Sequence, residues 1–183
     1  STQIGDLSGA GTVALGAKPL IAGRAGSSTF SGSMTGSGGA FSKVGAGTLT
    51  FSGTNSYTGG STITAGTLAL SGSGSLASTG AVVANGTFDI TAITPLSTQI
   101  GDLSGAGTVA LGAKALIEGT ASSSTFSGTI TGVGGNFTKQ GSGTLTLSGS
   151  STYSGATTIT AGTLNVTGSI ANLKWTNSPQ LTQ

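Results

Sequence analysis

Gly47-Thr48-Leu49-Thr50-Phe51-Ser52-Gly53 and Gly66-Thr67-Leu68-Ala69-Leu70-Ser71-Gly72 carry the same short pattern, in which apolar residues alternate with Thr or Ala between glycines. Alternation with a period of two places successive side chains on opposite faces of an extended strand. Leu49 with Phe51, and Leu68 with Leu70, therefore share one buried face. A helix would need apolar positions three and four apart and few glycines. Collagen would need glycine at every third residue and abundant proline, whereas the chain has three prolines.

The pattern recurs along the whole chain. Thr12, Thr29, Thr48, Thr67, Thr87, Thr108, Thr125, Thr144 and Thr163 each follow a Gly or Ser and precede an apolar residue, at a mean spacing of about 19 residues. Two residues after that apolar position, most copies are apolar again; Gly32 and Gly128 are the exceptions. A longer repeat overlies this one. Ser1 to Ser73 align without a gap onto Ser97 to Ser169, identical at about 52 of 73 positions, including all of the first 18.

Strands recurring at this interval predict an all-β fold: a single parallel β-helix, or β-solenoid, of about 19 residues per coil and nine to ten coils. Right-handed winding is expected from the crossover preference of parallel strands. The solenoid is expected to run continuously over residues 1–171, as two 96-residue units (1–96 and a partial 97–171). Residues 172–183 form a divergent tail or end cover that contains Trp175, the only tryptophan. One coil buries only a few apolar side chains against the entropy of ordering its length, so stability must come from neighbouring coils. Gly36-Ser37-Gly38-Gly39 and Gly59-Gly60 read as corners. Tyr57 and Tyr153 are expected to pack over such bends with their hydroxyls in water.

Composition narrows the chemistry. Only 5% of the residues are charged, with six Lys or Arg against four Asp or Glu, and there is no Cys or His. Thiol chemistry, His-based triads and most zinc sites are therefore ruled out. Lys18, Arg24, Lys43, Lys114, Lys139 and Lys174 are scattered, which argues against a nucleic-acid surface. Four acids cannot supply repeated calcium sites of six to eight oxygens. No apolar run reaches the roughly 18 residues of a membrane span. The chain opens inside a repeat, so a leader peptide would lie upstream of it. Neither end carries an obvious polar cap, as expected of a piece of a longer solenoid or an end that docks onto another copy.

Gly45-Ala46-Gly47-Thr48-Leu49-Thr50-Phe51-Ser52-Gly53, followed by Asn55-Ser56-Tyr57-Thr58-Gly59-Gly60-Ser61-Thr62-Ile63-Thr64-Ala65-Gly66-Thr67-Leu68, resembles the passenger-associated transport repeat of bacterial autotransporters. The stretch from Gly141 to Leu164 resembles it too. The resemblance implies a β-solenoid passenger, exported through an outer-membrane barrel to which the parent protein is tethered. It also implies display on the cell surface or secretion, with adhesion or aggregation as the role. It implies no catalytic residues and no cofactor.

Three further readings follow from the residues. Glycan-active enzymes also occur on parallel β-helices, and Asp102 and Glu118 fall on adjacent coils, where two carboxylates could flank a glycosidic bond. The equivalent positions in the first unit are Asp6 and Ala22, so no catalytic, metal or cofactor residues are assigned. The nine register threonines would form one outward ladder, similar to ice-binding solenoids, beside a mixed second column that contains Asp89. Such threonines also suit a parallel sheet for propensity alone. Finally, a nearly uncharged Thr/Ser/Gly surface and open strand edges favour self-association. The preferred expectation is a non-enzymatic structural or adhesive segment that associates with its own kind or meets a host or cell-surface ligand.

Overall fold

In the computed structural model, residues 1–171 and the short strands Trp175–Thr176 and Leu181–Thr182 are described; what was expected of the other tail residues lies outside them. The described residues contain strands and turns and no helix, and every strand pairing is parallel. Among the described residues no helix is long and apolar enough to cross a membrane.

The strands stack on three sides of a solenoid of about 8 turns. On the first face Leu20 pairs with Phe41, Phe41 with Ser61, Ser61 with Val82, and Val82 with Leu103. A bridge from Gly105 to Phe126 carries this face on to Leu145 and Leu164. The second face climbs through Ser28, Leu49, Leu68, Phe88, Val109 and Ile130. The third holds Val13 paired with Met34 near one end, and Thr98, Leu116, Phe137 and Thr157 further on. The two described tail strands continue the stack, Trp175 pairing with Thr157 and Leu181 with Leu164.

Coil length departs from the expected 19 residues. Most registers advance by 20 or 21, as from Phe41 to Ser61 and from Val82 to Leu103, and a few are shorter, such as Leu49 to Leu68. Longer coils make about 8 turns in place of nine or ten. The short spacings read as whole coils, Thr12 to Thr29 and Thr108 to Thr125, in fact stop short of a full turn.

The core is a column of inward side chains. Phe41 and Phe51 pack with ring centroids 5.2 Å apart, and Phe30 meets Phe51 edge-on at 6.1 Å. Gly32 and Gly128, the two gaps in the apolar pattern, have a packing reason. A Cβ on Gly32 would strike the Gly11 carbonyl and the Phe30 ring, and one on Gly128 the Gly107 carbonyl and the Phe126 ring. Each phenylalanine fills the space its glycine leaves. At the corners foreseen from sequence, Gly38 and Gly60 adopt φ of 76° and 87°.

The tyrosines differ from expectation. Tyr57 and Tyr153 are buried, and their hydroxyls are not in water: they bond the side chains of Ser61 and Thr157, each at 2.6 Å. Burial pushes both phenols up, Tyr153 to about 12. The partner hydroxyl lies four residues downstream in both cases, close enough to satisfy a buried phenol without solvent.

Candidate functional site

Two features could carry function: the outward threonine rows and a buried cluster of acid and lysine.

The nine-threonine ladder does not form as one line. Thr48, Thr67, Thr87 and Thr108 do stand in register on the second face, but Thr108 pairs with Thr129, not with Thr125. Thr12 faces Ser33, Thr29 faces Thr50, and Thr125 faces Thr146. Thr144 and Thr163 pair with each other on the first face. Five threonines therefore line up, and the row beside them reads Thr50, Ala69, Asp89, Ala110 and Thr131. The Asp89 carboxylate accepts the Thr91 backbone N–H at 2.8 Å. A flat lattice spanning every coil, which the ice-binding reading required, is absent among the described residues.

The structure brings Asp102 and Glu118 close together, but not in a cleft. Glu118 is 1% exposed; its Oε2 accepts the Leu103 N–H at 3.3 Å and its Oε1 has no hydrogen-bond partner. Asp102 is committed to Thr120, accepting its N–H at 2.8 Å and its hydroxyl at 2.8–2.9 Å. One acid is sealed in the core and the other closes a turn, so a glycan could not lie between them. This geometry does not support the glycan-hydrolysing reading.

Burial pushes Glu118 up to about 7, reinforced by the nearby Asp102 and opposed by Lys139 and the Leu103 N–H. Lys139 lies directly across the ladder from Glu118 and is also 1% exposed. Its ammonium donates to the carbonyls of Gln140 and Gly141, the latter at 3.0 Å.

The first unit repeats the lysine without the acid. Lys43, 1% exposed, sits opposite Ala22 and donates to the carbonyls of Val44 and Gly45, both at 2.7 Å, and of Ala65 at 3.4 Å. Burial pulls this ammonium below the usual lysine range, with Asp6 acting the other way. Neither lysine belongs to the scattered surface cations. Their placement was legible all the same, because Phe41-Ser42-Lys43 and Phe137-Thr138-Lys139 put each lysine two residues from a core phenylalanine, on the same face.

No group of three or more acids suited to a metal ion occurs among the described residues. A cavity of about 210 Å³ lies beside Val13, Leu15, Lys18 and Leu20 on the first coil, with Lys18 as its one charged group.

Residues 41–70 and 137–166 each match the model of the passenger-associated-transport-repeat, a structural repeat of autotransporter passengers. Each match starts at the core phenylalanine before the buried lysine and takes in the buried tyrosine. No curated protein and no solved structure matches the chain.

Proposed function

We propose that this chain, a β-solenoid with two passenger-associated transport repeats, is a structural and adhesive segment of an exported bacterial surface protein. It holds distal parts of that protein away from the cell and associates with like copies. Autotransporter passengers carry these repeats and are exported, which supports display on the cell exterior or release from it.

The observation that carries the adhesive part is the character of the outward rows. Thr48, Thr67, Thr87, Thr108 and Thr129 form a regular hydroxyl-and-methyl surface in which Asp89 is the only charge. Little electrostatic repulsion opposes contact between two such surfaces. The two acids considered for catalysis are occupied by the fold, so the supporting chemistry is that of contact and not of turnover.

Sedimentation velocity over a concentration series, at low and high salt, tests this. The expected result is growth into larger species as concentration rises, with little effect of salt because few charges take part. A single elongated monomer at every concentration would sink the adhesive part and leave a spacer.

A further inference from the structure

Leu20 and Leu116 occupy the same position in the 96-residue unit (116 − 20), yet they stand on different faces of the solenoid. From Leu20 the first face is climbed in four turns, through Phe41, Ser61 and Val82 to Leu103. Another 13 residues (116 − 103) reach Leu116, out of the 21 (126 − 105) by which the Gly105–Phe126 bridge advances the next turn. One unit is therefore four turns and about two-thirds of a fifth. Every outward segment returns one unit later on another side of the rod. Thr48, Thr50, Thr67 and Ala69 lie on the second face, whereas their counterparts Thr144, Thr146, Thr163 and Asn165 lie on the first.

We infer that this phase offset gives each chain two like self-association patches pointing in different directions, so that contact between copies builds an extended, turning chain of rods and not a closed dimer. The inference rests on the self-association reading above and specifies its geometry. A second copy is the occupant the patches fit, for two reasons. Outward rows on any copy repeat at the coil spacing of about 4.8 Å, so a row on one rod is commensurate with the same row on another. The first-face patch contains no charged residue and Asp89, next to Ala69, is the only charge bordering the second-face patch, so bringing two together desolvates little charge. A rod held through its second face keeps the patch on its first face free and turned elsewhere. Two divergent patches per copy do not close on themselves, and association grows.

The experiment is sedimentation velocity over a concentration series on the full chain and four variants, each first shown by circular dichroism to keep the parent β spectrum. Thr50→Lys with Ala69→Lys blocks the second-face patch, and Thr146→Lys with Asn165→Lys blocks the first-face patch. The third variant combines all four substitutions. The fourth, Thr138→Lys with Thr158→Lys, places the same charge on the third face as a control. Glu versions serve wherever a Lys pair unfolds the chain. The parent and the third-face control should grow beyond dimers, each two-site variant should stop at the dimer, and the four-site variant should stay monomeric. A parent that is monomeric throughout overturns self-association and this inference with it. If the parent associates, self-association stands; the two-direction geometry is then overturned by any of three outcomes. These are a two-site variant that is already monomeric or still grows past the dimer, a four-site variant that still assembles, and a control that alone halts growth.

Discussion

The two long units share most of their sequence, yet they hold the same buried lysine in different company. Lys43 faces Ala22 and relies on three backbone carbonyls; Lys139 faces Glu118, whose carboxylate is itself short of partners. An ammonium deprived of water thus needs close carbonyl oxygens first, because they are fixed by the corner and require no further desolvation. The acid is an addition in one unit only. It brings a second buried ionisable group, whose own desolvation offsets much of the attraction it gains.

Removing the lysines should separate the units most. At pH 8, Lys139→Met is expected to cost about 3–5 kcal/mol, since Glu118 loses the cation that favours its charged form and must either stay ionised in the core or take up a proton against the solution pH. Lys43→Met leaves no buried charge behind and should cost about 1–2 kcal/mol, from the carbonyls that lose a donor. Chemical denaturation of the two variants measures this difference. Equal losses would show that Glu118 does not depend on Lys139.

Glycine substitution should instead treat the units alike. Gly32→Ala and Gly128→Ala each drive a methyl group into a backbone carbonyl and a phenylalanine ring, and each should cost about 3 kcal/mol. A clear inequality in denaturant midpoint would mean that one coil can shift its backbone and the other cannot.

Acidity should act on the second unit through Glu118. Its pKa is about 7 in the folded chain against an ordinary 4.5, so the folded state binds more protons between those values. Stability is therefore highest below about pH 4.5 and falls as pH rises through 7, by on the order of 2–3 kcal/mol. Glu118→Gln should flatten this slope in a series of denaturation curves from pH 4 to pH 8. A slope that survives the substitution would assign the titration to another group.

The smallest effect expected is at the buried phenols. Tyr57→Phe and Tyr153→Phe each remove a 2.6 Å hydrogen bond and strand one hydroxyl, at about 1 kcal/mol apiece by thermal or chemical unfolding. Because Ser61 and Thr157 play the same part, the two losses should agree.

Much of the fold was legible because a strand with one buried side leaves a local trace. The alternation around Leu49, Leu68, Phe88 and Val109 correctly put these residues in the core, and the threonines before them correctly paired across four coils. Lys43 and Lys139 were counted among the scattered cations on charge alone, although the same period of two puts them on the face of Phe41 and Phe137, where the structure buries them. Asp102 and Glu118 were rightly brought near each other, but their burial and their bonds to Thr120 and Leu103 depend on the neighbouring coil. The tyrosine hydroxyls illustrate the same limit. A phenol beside a turn reads as wet until the packing above it is known.

By itself, the sequence determined the strand as the repeating element, the parallel stacking, the position of the core column and the glycine corners. All of these follow from residues a few places apart. Only the tertiary structure decided which strands share a face. A coil has three sides, and a similar Gly-Thr-apolar pattern can start strands on different sides, so a spacing of 17 or 21 residues can mean an incomplete turn or a whole one. Backbone hydrogen bonds between coils resolve that choice. They join Thr108 to Thr129 and not to Thr125, and they turn the second long unit about two-thirds of a turn away from the first.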